Sequence, residues 1–168
     1  PDHIKVAIYW VVLLVLALPI IHICTQKEFP LIVIRKLYHL LALLLFIPAQ
    51  LIAPEFLLLG SGVATALMLL VEYVRICRVP PFGLWLHKYL RTYTDSRDEG
   101  VVILTHLYLL VGCTAPLWLY HDAPFDPTIA KLASFSGLIV LGAADSAGAI
   151  VGSTRGKWFW PGGRKTFE

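Results

Sequence analysis

Asparagine is absent from this 168-residue chain, so it offers no acceptor for N-glycosylation. Charge is scarce: Asp, Glu, Lys and Arg make up 15% of residues, against about a quarter in a soluble domain. Cysteine occurs three times, at Cys24, Cys77 and Cys113. These are isolated and sit in or beside apolar runs, which excludes a disulfide framework and a cysteine-rich metal site. Buried thiols are expected instead. The Walker A pattern GxxxxGK[ST] is missing, as are internal repeats and low-complexity tracts. What remains is apolar, 58% of the chain by residue, more than a soluble domain of this size can hide.

Five segments approach the roughly 20 apolar residues that a spanning helix needs. Residues 6–26, 37–54 and 101–121 carry no Asp, Glu, Lys or Arg; 56–74 holds only Glu72, and 132–154 only Asp145. In lipid such spans must be helical, because nothing else satisfies the backbone. The expected fold is therefore all-α: a single polytopic membrane domain over 1–168, with helices near 6–26, 37–54, 56–74, 101–121 and 129–150. The first segment is too long for a signal-peptide core and lacks a small-residue cleavage site. The chain opens on Pro1 rather than Met, and a piece of a longer protein is expected.

The few charges are sorted by side. Of fourteen Lys and Arg, only Lys5 and Lys131 fall on one face of the expected topology. The others flank helices one and two, three and four, or follow helix five. The positive-inside rule then places the N-terminus outside and the basic regions in the cytosol. Within the connection after residue 75, Leu84, Trp85, Leu86, Tyr89 and Leu90 mix with His87, Lys88 and Arg91, the composition of an interfacial amphipathic helix.

Polar groups inside the apolar runs mark candidate chemistry. Asp145 lies in "LGAADSAGAIVG". Counted at 3.6 residues per turn, Gly142, Gly148, Ala149 and Gly152 share its face, leaving room for a phosphate, a metal ion or another backbone. Helix–helix packing on small residues is the competing explanation. Glu72 lies one turn from its helix end beside Arg75, where function and a local ion pair compete evenly. "RKLYH" puts Arg35, Lys36 and His39 on one face at the start of helix two, where cations oppose the macrodipole. A bound anion relieves that conflict; a plain basic anchor also accounts for it. "DSRDEG" sets Asp95, Asp98 and Glu99 ahead of helix four, as helix-capping acids or as carboxylates for a hydrated divalent ion.

The chain closes on "GSTRGKWFWPGGRKTFE". Its glycines permit the exposed backbone N–H groups of an anion nest. Arg155, Lys157, Arg164 and Lys165 supply counter-charge, and Arg grips phosphate with two N–H groups. The loop 152–168 is the expected nucleotide loop.

"RTYTDSRDEGVVILTHLYLLVGCTAPLWL" (91–119), "LGAADSAGAIVGSTRGKWFWPGGRKTFE" (141–168) and "RKLYHLLALLLFIP" (35–48) closely resemble the dolichol kinases, a membrane family of CTP-dependent polyprenol kinases. The likeness covers nearly all of 35–168 in order. It implies transfer of the γ-phosphate of CTP to dolichol, at a cytosol-facing site in the endoplasmic reticulum membrane, with a divalent cation such as Mg²⁺. It implies the bilayer, dolichol and CTP as partners, and no nucleic acid. Carried over, it makes Asp145, Lys165 and His39 catalytic. Arg35, Lys36, Gly152, Arg155, Gly156, Pro161, Arg164, Lys165 and Glu168 become CTP or phosphate binders, and Asp145 and Asp98 metal candidates. Asp145 has two expected roles, coordinating the metal or accepting the dolichol proton. The family pattern Gly-x-Gly-Asp reads Gly142-Ala143-Ala144-Asp145 here, and Ala144 bars a positive φ. The sequence stops at Glu168, before the position at which the family usually carries Gly-Ser/Thr. A related lipid-alcohol kinase or CDP-lipid synthase is the neighbouring reading. A transporter fragment is the reading from another class, and it predicts polar groups at several membrane depths.

Overall fold

A computed structural model describes residues 1–27, 29–91, 102–103 and 105–157. Every regular element among them is helical. Helices α1 (Asp2–Gln26), α2 (Leu31–Ile52) and α3 (Pro54–Ile76) are long and apolar enough to cross a bilayer. So is the near-continuous rod Pro127–Gly152. It is built from α6 (Pro127–Ser134), a π-helical stretch (Leu138–Ala144) and the first turns of α7 (Asp145–Arg155). The chain is thus an all-helical, multi-pass membrane protein. Between α3 and the rod lie the short α4 (Gly83–Arg91) and α5 (Thr105–Tyr120). The expected fourth span, 101–121, is helical over only 16 described residues. At 1.5 Å per residue that is about 24 Å, short of the roughly 30 Å hydrocarbon core.

Consecutive spans pack antiparallel. Ala53, extended at φ −147° and ψ 68°, ends α2, and Pro54 opens α3, where a missing N–H costs nothing. Val6, Ala49, Leu57 and Leu117 form one buried cluster, and Ile21, Ile34 and Leu41 a second. Large apolar side chains of α1 and α3, such as Val15 and Leu59, point outward, as lipid-facing residues do.

Prolines inside these helices leave carbonyls without their usual partner, and lipid cannot supply one. Pro48 in α2 leaves the Leu44 carbonyl; the Tyr9 hydroxyl of α1 donates to it at 2.7 Å, and Trp10 Nε1 donates to Leu45 at 2.8 Å. Trp10 also stacks on Phe56. Pro116 in α5 leaves the Gly112 carbonyl. Gly137 packs so closely on that oxygen that an added Cβ would overlap it. Two glycines therefore set how near α5 approaches the rod.

These contacts share one end of the bundle with two further bonds. Trp118 Nε1 donates to Ser61 Oγ at 2.9 Å, and Gln50 Nε2 donates to Ser134 Oγ at 2.9 Å. The other end, where α1 and α3 finish and α2 and α5 begin, carries the basic residues.

Candidate functional site

The conflict at the start of α2 has an internal answer. Lys36 and His39 project from its first turns, and the rod brings Asp145 to them across 109 residues of sequence. Lys36 Nζ pairs with Asp145 Oδ2 and donates to the Asp145 backbone carbonyl at 3.1 Å. His39 Nε2 meets the same Oδ2 at 3.0 Å. Its other ring nitrogen, Nδ1, donates to the Arg35 carbonyl at 2.7 Å, one turn back. That bond orients the ring so that Nε2 faces the carboxylate.

The carboxylate is therefore oriented rather than loose. Oδ2 is shared by two donors from α2, while Oδ1 meets none among the described residues. The Asp145 side chain keeps 49% exposure, against 18% for Lys36 and 14% for His39. Arg35 and Lys36 against Asp145 leave a formal charge of +1 (two cations less one anion), counting His39 as neutral. Arg155 and Lys157 follow in sequence, both exposed. Basic side chains around a carboxylate oxygen that meets no donor among the described residues suit a phosphorylated ligand better than a bare metal ion. Among the described residues no group of three or more His, Cys, Asp or Glu gathers to hold a metal.

The π-helical stretch explains how Asp145 is aimed and corrects the face count. A π turn holds more residues than an α turn, so phases counted at 3.6 do not carry across it. Gly142 is buried against α2, where an added Cβ would overlap Leu43. It is a packing contact and not an opening for ligand. Gly148, beyond the π stretch, has open space around it. Ala144 adopts φ −66°, ψ −42°, a conformation that alanine favours. Its departure from the family's glycine therefore imposes no backbone strain. Gly156 is extended at φ −60°, ψ 119°, so no positive φ requires a glycine there. Gly152, half-buried, sits in the last turns of α7, and Arg155 closes that helix.

Glu72 belongs to a separate cluster. Arg75 grips it with two bonds, Nε to Oε2 at 2.7 Å and Nη2 to Oε1 at 2.5 Å, and the Ile103 N–H donates to Oε1 at 2.5 Å. The local ion pair, one of two explanations for Glu72, is thus present. Asp98, Pro161, Arg164, Lys165 and Glu168 lie outside the described residues, as do Asp95, Glu99 and the aromatics 158–160. Sequence reading missed Ser146, whose Oγ is buried with no hydrogen-bond partner among the described residues. Its only signal was its place beside Asp145.

Similarity searches agree with the resemblance. Dolichol kinase EVAN of Arabidopsis thaliana is 35% identical over 171 residues, covering 99% of this chain and 29% of the relative. Dolichol kinase of Homo sapiens is 36% identical over 142 residues, 80% of this chain and 26% of its own length. Dolichol kinase of Saccharomyces cerevisiae is 33% identical over 165 residues, 98% of this chain and 29% of its own. The chain thus spans little more than a quarter of these relatives. No family model matches it, and no solved structure does.

Proposed function

Because the chain belongs in sequence to the dolichol kinase family over the stretch it spans, we propose that it forms the phosphoryl-transfer site of a CTP-dependent dolichol kinase. The site faces the cytosol in the endoplasmic reticulum membrane. The observation that carries this reading is the Asp145 carboxylate, oriented by Lys36 and His39 with Oδ1 open, at the end of the bundle where the basic residues gather. A lipid acceptor and a soluble donor can meet only at a membrane face.

Phosphoryl transfer depends mainly on positioning and charge neutralisation. Arg35 and Lys36 hold the γ-phosphate from the α2 side. Arg155 at the end of α7, with Arg164 and Lys165 as the sequence candidates beside it, neutralises it and the leaving diphosphate; Gly152, Gly156, Pro161 and Glu168 are the further candidates from the sequence match. The dolichol oxygen attacks the γ-phosphorus and a new P–O bond forms. The bond from that phosphorus to the bridging oxygen breaks, and its electron pair departs on CDP. The proton of the dolichol hydroxyl passes to Asp145 Oδ1. Of the two roles expected for Asp145, the geometry supports this one, since Oδ2 is committed to Lys36 and His39. A metal ion fits as a guest of the nucleotide: Mg²⁺ keeps waters and takes one or two carboxylates. Asp98 is the sequence candidate for one of them, and the ion's chemistry would be to neutralise phosphate charge.

The test is transfer from γ-labelled CTP to dolichol in membranes carrying the full-length gene product. ATP as donor, and phytol or diacylglycerol as acceptor, serve as comparisons. CTP-dependent labelling of dolichol that is lost in Lys165→Ala is the expected result. Well-folded protein that labels no acceptor contradicts the reading.

A further inference from the structure

The buried charges at the end of α3 take no part in that mechanism, and they are costly to place. Arg75 is 3% exposed, and the Glu72 side chain 12%. Desolvating two ions is seldom repaid in stability compared with an apolar pair of similar volume. Their geometry, however, joins three elements. Glu72 Oε1 accepts from both Arg75 and the Ile103 N–H, just ahead of α5. Arg75 Nη1 reaches His87 Nδ1 on α4 at 3.4 Å.

The corner between α3 and α4 is equally constrained. Arg78 turns the chain at φ 50°, a region that L residues rarely adopt. Gly83 packs so tightly on that turn that a Cβ would lie 2.8 Å from the Val74 carbonyl oxygen. The chain thus enters α4 from a fixed corner, and Ile103, ahead of α5, meets the same ion pair.

We propose that Glu72 and Arg75 are positioning residues: their pair clamps α4 and the start of α5 to the end of α3, and so steadies α5, which packs in turn against the π-helical stretch leading to Asp145. Its consequence for catalysis rests on the kinase reading above; its geometry does not.

Two measurements on the full-length gene product test it. The first is a spin-label distance between Leu84→Cys and Val102→Cys, with Cys24, Cys77 and Cys113 replaced by serine. A narrow distribution that broadens in Glu72→Gln is expected, and one unchanged by Glu72→Gln overturns the clamp. The second uses Glu72→Met/Arg75→Met, which removes both charges and retains bulk. The melting temperature is expected to hold or rise while kcat falls at least tenfold with the KM for dolichol unchanged, and Arg75→Lys to restore little. Wild-type kcat in a stable double variant shows the pair to be structural only. Wild-type protein that transfers no phosphate, yet shows the narrow distance and its broadening, sinks the kinase reading and leaves the clamp standing.

Discussion

The two ends of the bundle handle polar groups in opposite ways. Away from the basic face, the described inter-helix bonds are neutral and closed: Tyr9 to the carbonyl that Pro48 leaves, Trp118 to Ser61, Gln50 to Ser134. Each donor has its acceptor within the protein, as an apolar solvent demands. At the basic face the contacts are ionic, and one is incomplete. Among the described residues Asp145 Oδ1 meets no donor and Ser146 Oγ is buried with no hydrogen-bond partner, while about half of the Asp145 side chain is exposed. A bond that only holds helices together needs no spare valence. A site that takes a ligand does.

Substitutions at the two ends should separate accordingly. Lys36→Glu sets a second carboxylate against Asp145. Like charges about 4 Å apart repel by ~4 kcal/mol at an effective dielectric of 20, so transfer should fall roughly a thousandfold, in an assay normalised to folded protein. Gly137→Ala pushes a methyl into the Gly112 carbonyl. Overpacking of this kind should cost about 1–3 kcal/mol, read as a lower melting temperature with kcat per folded molecule retained. Trp118→Phe removes the bond to Ser61 and should cost about 1 kcal/mol, again without loss of transfer. Ala144→Gly should be the mildest: roughly 0.5–1 kcal/mol from added chain entropy and no gain in rate, since Ala144 already sits in a helical conformation. A large gain in rate would mean that the methyl obstructs a ligand.

The spans and the sorting of charge were legible in the sequence because both are one-dimensional. An apolar run reads as a helix whatever it packs against, and loop charge reads as sidedness. Arg35, Lys36, His39 and Asp145 each stood out for the same reason, as polar residues where lipid or a helix dipole disfavours them. That Lys36 and His39 meet on the Asp145 carboxylate was not legible. The two motifs lie 109 residues apart, and only tertiary packing joins them. Gly142 stayed open between ligand space and helix packing because a π-helical stretch leads into Asp145 and no propensity in "LIVLGAA" announces it. Glu72 stayed ambiguous because its second partner is a backbone N–H at Ile103, which a sequence shows at every position alike.

The measurement that bears most directly on the site is single-turnover transfer to dolichol by Asp145→Asn beside CTP binding to the same protein. Asparagine keeps the shape and loses the proton acceptor. General-base loss predicts transfer lower by about 10²–10⁴-fold with CTP bound as tightly as in the wild type or more so, because an anion no longer faces the phosphates. Transfer at the wild-type rate would show that the open oxygen of Asp145 does no chemistry.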